Sequence, residues 1–387
     1  MSELLRLRGR NMKRKIFWGA LLTASAALLS AMLNVESKET PVPAKKPVIR
    51  IGATLPLSGE NAYIGNSVRN AMEMAFGEWE KRGTRYEYQL VFDDDAMEPK
   101  KINRNTNRLV NVEKVNAVLT VLTPAATEAN TITNDKKVIH FGCAYGDKMA
   151  EDYYSFNNLT RNDSMAQMMA DALKEKGIRS IAILTSTDEN SQVQSRILEE
   201  ILNKDGSIEI VGKKVYQAGT ESFAKIIKSI LKKGTPDIFF ISGMTPDAAN
   251  AARDLKEITG DVRLTTINDF AEAKDRSAFD GLWFVSSANA TKEFSVRYGE
   301  QYMQPLYLCA PNSYDSLNML IWAYERTPRR KGEAIPDNED VVRTIMEIRD
   351  WHGAIASFKV GQNGNMISRP ELVYINRGRI KPLDDAK

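Results

Sequence analysis

Short apolar runs alternate with amphipathic stretches along most of this chain, and that rhythm limits the folds open to it. Nine runs read as strands: Val48–Leu55, Tyr86–Asp93, Ala117–Thr123, Val138–Cys143, Ser180–Ser186, Glu209–Gln217, Asp237–Gly243, Arg263–Asp269 and Gly281–Ser287. Most are short, rich in β-branched residues and bounded by turn residues. Several are apolar at nearly every position, the pattern of parallel strands covered on both faces. Between them the helical period takes over. Val68, Ala71, Met72, Ala75, Phe76 and Trp79 form one apolar stripe. Phe223, Ile226, Ile227, Ile230 and Leu231 form another, with Gly234 placed as its C-cap and Pro236 beyond. Three more helical patterns cover Thr291–Met303, Pro311–Arg326 and Asp337–Ile348.

Repeated strand–helix–strand units imply an α/β fold with parallel sheets, either one wide sheet or two smaller ones. With 387 residues, two domains are the default. The extended polar run Asp152–Ser164 breaks the rhythm and reads as a crossing between two lobes, with a second near Ser286–Asn289. Ligands of open α/β sheets sit beyond the carboxyl ends of the strands, so two facing sheets make a cleft.

The first 37 residues stand apart. They hold six of the 53 basic residues and two of the 50 acidic ones, so the rest of the chain is close to neutral. The basic character therefore belongs to the leader and gives no ground for nucleic-acid binding. Lys13-Arg14-Lys15 followed by the uncharged stretch Ile16–Leu33 reads as an export signal, with small-residue cleavage points after Ala26, Ala31 or Ser37. An uncleaved membrane anchor is the alternative, since the stretch just reaches across a bilayer. The polar, Pro-rich segment that follows, residues 38–47, reads as a linker.

Catalytic chemistry finds little support. His140 sits in an apolar strand and His352 follows Trp351, and neither has a partner at metal-ligand spacing. No G-x-S-x-G elbow is present. No cofactor fingerprint is present either: Ile51–Gly65 runs strand, loop, helix like a phosphate-binding loop, but Asn66-Ser67 stands where Lys-Ser/Thr is required. Its backbone N–H groups still suit a small anion. Asp93-Asp94-Asp95 reads as a solvated strand terminus whose side chains diverge. Cys143 and Cys309 read as two separate buried thiols, with pairing left open. Thr123, Ala144-Tyr145-Gly146 and Asp269 stand at strand ends, where a hydroxyl, free N–H groups and an acid suit a zwitterion, though each is equally ordinary turn chemistry.

The stretches "IGATLPLSGENAYIGNSVRNAMEMAF", "FDDDAMEPKKINRNTNRLVNVEKVNAVLT" and "APNSYDSLNMLIWAYER" together resemble the type I periplasmic binding proteins of the leucine/isoleucine/valine-binding kind. The likeness runs from about Val48 to Pro382. It implies two Rossmann-like lobes joined by three crossings, residues 48–161 with 287–366 and residues 162–286 with 367–387. It also implies hinge closure over a small amino acid or amide for an ABC transporter permease, outside the cytoplasm, without catalysis. By the same resemblance, Thr123 and the Ala144-Tyr145-Gly146 backbone hold a ligand carboxylate and Asp269 holds the ammonium. Ile64 and Met244 approach the ligand side chain, and Asn190 stands where a closing aromatic is usual. Tyr145, in place of a small residue, and Gly146, in place of a hydroxyl, depart from the branched-chain pattern.

Overall fold

A computed structural model describes residues 45–383 except residues 146, 151, 244 and 288 and the side chains of residues 147 and 148. The export signal, Gly146 and Met244 lie outside the described residues. The chain divides into Met1–Lys46 and Pro47–Lys387, and the second unit carries every element below.

Its first part runs β1 (Val48–Leu55), α1 (Ala62–Arg82), β2 (Glu87–Asp94), α2 (Pro99–Asn111), β3 (Ala117–Val121), α3 (Thr123–Asp135), β4 (Ile139–Cys143) and β5 (Ser155–Asn157). It continues with α4 (Asn162–Glu175), β6 (Ser180–Ser186), α5 (Glu189–Asp205), β7 (Glu209–Tyr216), α6 (Ala224–Leu231), β8 (Ile238–Ser242), α7 (Asp247–Thr259), β9 (Leu264–Thr266), α8 (Asp269–Glu272) and β10 (Trp283–Ser286). The last part is α9 (Lys292–Tyr302), α10 (Ala310–Arg326), α11 (Asn338–Met346), β11 (Trp351–Gly353), β12 (Ala356–Val360), β13 (Met366–Ser368), β14 (Glu371–Asn376) and β15 (Arg379–Pro382).

Two parallel sheets form rather than one. The first has the order β2-β1-β3-β4-β5 and the second β7-β6-β8-β9. The continuous apolarity of their strands is explained by burial on both faces. In β6, Ala182 and Leu184 enter one core while Ile181 and Ile183 enter the other, and β8 divides Phe239 and Ile241 from Ile238 and Phe240 in the same way. The first sheet shares its main core with α1, α9, α10 and α11.

Several readings of the sequence change. Short strands β11 to β13 and β14 to β15 fold into antiparallel sheets after residue 350, where no apolar run was long enough to mark them. Helix α6 ends before Gly234, because the chain leaves the helix at Lys232. Cys143 and Cys309 are joined in a disulfide with Cα atoms 5.8 Å apart, tying the end of β4 to the entry of α10. Closing a loop of 166 residues removes roughly 5 kcal/mol of freedom from the unfolded chain.

The Asp triplet is a solvated terminus only in part, since Asp94 is exposed and Asp95 is not. Asp93 pairs with Arg108, Asp94 accepts the N–H groups of Leu57 and Ser58 at 2.9 and 3.1 Å, and Asp95 is fully buried against Thr54. Gly65 has no room for a side chain: a Cβ there would stand 2.1 Å from the Pro56 carbonyl oxygen.

His140 is packed between Thr120 Oγ1 and Asn130 Oδ1, and burial pushes it down to about 3, so it is neutral. Asp315, on the buried face of α10, accepts the N–H groups of Ala354 and Ile355 at 2.7 and 3.0 Å. Both N–H groups lose their acceptor in Asp315→Ala. The expected loss is roughly 3 kcal/mol of unfolding free energy, read from urea denaturation; a loss below about 1 kcal/mol would show that the β11–β12 turn is held elsewhere.

Candidate ligand-binding site

The carboxyl ends of strands from both sheets converge. Three helices at this edge are entered through a left-handed residue that is not glycine. Leu122 (φ 67°) precedes α3, Asn268 (φ 68°) precedes α8 and Cys309 (φ 68°) precedes α10. Each such residue costs roughly 1–2 kcal/mol. Specific contacts hold them: Leu122 N–H donates to Cys143 O at 2.9 Å, Asn268 Oδ1 accepts from Ser287 N–H at 2.7 Å, and Cys309 is held by the disulfide.

These turns move two expected strand-end residues. Thr123 becomes the first residue of α3 and Asp269 the first of α8. On a helical turn, Asp269 and Glu272 are i,i+3 neighbours on one face. Glu272, only 8% exposed, reaches across the cleft and accepts a hydrogen bond from the Tyr145 hydroxyl. The Tyr63 hydroxyl donates to the Glu272 carbonyl at 3.0 Å. The Tyr63 ring meets Tyr307 edge-on at 4.8 Å, and Arg276 lies over the Tyr307 ring at 5.8 Å. One short segment after β9 therefore touches the first turn of α1, the loop after β4 and the approach to α10.

Of the donors assigned to a ligand carboxylate, the Ala144 and Tyr145 N–H groups are already in use. Tyr145 N–H donates to Thr123 Oγ1 at 3.1 Å. Ala144 N–H donates to Asn157 Oδ1 at 3.2 Å, and Asn157 Nδ2 returns a bond to the Ala144 carbonyl. The Leu57 and Ser58 N–H groups, expected to face an anion, are taken by Asp94. Asp269 accepts Gly243 N–H at 3.0 Å and the Thr266 hydroxyl at 2.7 Å, so its carboxylate is engaged within its own sheet. Asn190 accepts from Asn162 Nδ2 at 3.3 Å, beside the chain entering α4. Ile64 is buried in the first core. Thr123, Ala144, Tyr145 and Asp269 are thus brought to one place, while Ile64 lies in the first core and Asn190 beside Asn162 at the start of α4.

The electrostatics are one-sided. Asp188, capping α5 through Ser191 N–H, leaves its Oδ2 buried with no partner among the described residues. Burial, then the neighbouring Glu272 charge, holds Asp269 well above the usual carboxylate range. Burial pushes Glu272 up to about 7, against the opposing hydrogen bond from Tyr145. Asp247 at the start of α7 is pushed up to about 6 by burial and by Asp188. Among the described residues, no three His, Cys, Asp or Glu side chains are placed to hold a metal ion. Glu272, Asp188, Tyr63 and Tyr307 escaped the sequence reading. The only signal for Glu272 was its spacing from Asp269, hidden while Asp269 was read as a strand end.

The family model described as periplasmic binding protein matches residues 48–379. The chain belongs to this family. Among periplasmic binding proteins, the Leu/Ile/Val-binding protein BraC3 of Rhizobium johnstonii is 22% identical over 356 residues, covering 84% of this chain and 91% of that one. The leucine-binding protein LivK of Thermotoga maritima superposes with a TM-score of 0.75 at 19% identity, over 86% of this chain and 97% of that one. A solute-binding protein of an ABC transporter from Rhodopseudomonas palustris, in complex with 3,4-dihydroxybenzoic acid, gives 0.74 at 18% identity, over 87% and 95%. The fold is thus that of a type I periplasmic binding protein.

The raised pKa of Glu272 in this binding protein has a definite sign. Its folded value, about 7, exceeds its ordinary 4.5. The fold therefore holds its proton more tightly than the unfolded chain does. The resulting stability is complete below about pH 4.5 and is lost as pH rises through 7. The difference in Tm between wild type and Glu272→Gln should fall across that window and level off beyond it; a difference independent of pH would mean that Glu272 is not held protonated.

Proposed function

We propose that this periplasmic binding protein is an exported receptor that captures a small amino acid-like solute by hinge closure and delivers it to an ABC transporter permease. The observation that carries the reading is the meeting of Tyr145 and Glu272. It joins loops at the carboxyl ends of two different parallel sheets, the place where such folds hold ligands. We assign residues 48–161 and 287–366 to lobe one and residues 162–286 and 367–387 to lobe two. We assign Thr123, Ala144 and Tyr145 to one wall and Asp269 and Asn190 to the other, with Ile64 behind the first loop. The disulfide agrees with an oxidising, extracytoplasmic compartment. BraC3 and LivK, named for branched-chain amino acids and leucine, support the solute class. The role is binding rather than catalysis.

A second reading, a ligand sensor or interaction protein without transport, is favoured by one observation: the chain's own side chains already bridge the cleft. Co-purification with a membrane permease supports transport, and ligand binding without such a partner supports the sensor.

The test is a thermal-shift panel of amino acids and amides on the chain lacking its leader. A true ligand at a hundredfold excess over its Kd should add about 2.7 kcal/mol of apparent stability. No shift with any member would reject the receptor reading.

A further inference from the structure

The two halves of the cleft are unequally prepared for a zwitterion. On the anion-binding side, the Leu57, Ser58, Ala144 and Tyr145 N–H groups are all satisfied by acceptors of the chain itself. On the cation-binding side, Glu272 has a tyrosine hydroxyl and no Lys or Arg bonded to it among the described residues. Asp188 adds a buried oxygen with no partner among those residues, and its charge acts on both Glu272 and Asp269. The four described carboxyl groups that act on one another here are Asp188, Asp247, Asp269 and Glu272, from the starts of α5, α7 and α8. The described cation at the rim, Arg276, is turned to the Ala271 carbonyl and to Tyr307. Metal coordination does not fit, because no three ligating side chains converge among the described residues.

We propose that Glu272, rather than Asp269, receives the ligand, that it does so by binding an ammonium group, and that the Tyr145 hydroxyl holds that place until an amine displaces it. The solute class is then set by its amine, with a carboxylate dispensable. This rests on the receptor reading. A buried carboxylate satisfied by one neutral donor gains more from a charged one, since charge-assisted hydrogen bonds are about twice as strong as neutral ones. Asp269, whose Oδ2 accepts from Gly243 N–H and the Thr266 hydroxyl within its own sheet, is left to position the turn that carries Glu272.

The experiment uses n-butylamine, 1,4-diaminobutane, leucine and 4-methylpentanoate, the last being leucine without its amine. Each is titrated by thermal shift and calorimetry against wild type, Glu272→Gln and Tyr145→Phe. The expected result is stabilisation by the three amines and none by 4-methylpentanoate. Glu272→Gln should weaken amine binding at least tenfold, and Tyr145→Phe, which removes the competing hydroxyl, should strengthen it. If Glu272→Gln fails to fold, the wild-type ranking and Tyr145→Phe still decide. Binding of 4-methylpentanoate as tight as leucine, or leucine binding unchanged in Glu272→Gln, overturns the proposal and leaves the receptor reading standing. No binding of any probe to wild type or to Tyr145→Phe, with no response to the wider amino-acid panel, removes both.

Discussion

A right-handed strand–helix–strand crossover returns the chain to the same end of the sheet before each new strand. In a parallel sheet this puts all the strand-to-helix turns on one edge. Nothing else in this molecule has to be arranged to make a site: Leu55, Val121, Cys143, Ser186, Ser242 and Thr266 all end strands there. The second sheet repeats the device, and the two edges meet through Tyr145 and Glu272. The left-handed residues Leu122, Asn268 and Cys309 sharpen the turns. Their cost is offset by a disulfide and by hydrogen bonds that do not depend on any ligand.

That same edge is rich in backbone donors, and a buried donor without an acceptor is costly. The chain meets the demand from within. Asp94 caps the first loop, Asn157 closes on both backbone groups of Ala144, and Thr123 takes Tyr145 N–H. Each of these acceptors comes from the chain's own elements, so the loop geometry is satisfied from within the fold. A related fold can therefore drift in ligand while keeping its backbone, and the branched-chain and aromatic-acid names borne by proteins of this fold agree with that freedom.

The architecture was legible because burial on both sheet faces forces long apolar runs, as in Ser180–Ser186, whose strand bounds match the sequence reading. The strands after residue 350 were not, since three to six residues punctuated by Gly, Asn and Pro leave no period to read. The site was half legible. Thr123, Tyr145 and Asp269 could be placed at strand ends by counting. The roles of their neighbours depend on backbone angles that side-chain pattern does not encode. Asn268 at φ 68° turns an apparent strand terminus into a helical turn. Only then does Glu272 face the other sheet. Cys143 and Cys309, 166 residues apart, become partners through sheet order, which no local pattern specifies.

A bond between a neutral hydroxyl and a carboxylate contributes about 1.5–3 kcal/mol. With the proposed lobes and hinge, the Tyr145–Glu272 contact would bias the cleft toward closure by roughly ten- to a hundredfold in population. A solute that closed the lobes equally well in both arrangements would change nothing. It must offer Glu272 more than the phenol does, and a cation can, because burial and the Asp188 charge raise the cost of leaving Glu272 charged and unpaired. On the proposed reading, the carboxyl cluster discriminates before any apolar contact forms, with a threshold that an uncharged donor, already represented by the Tyr145 hydroxyl, does not pass.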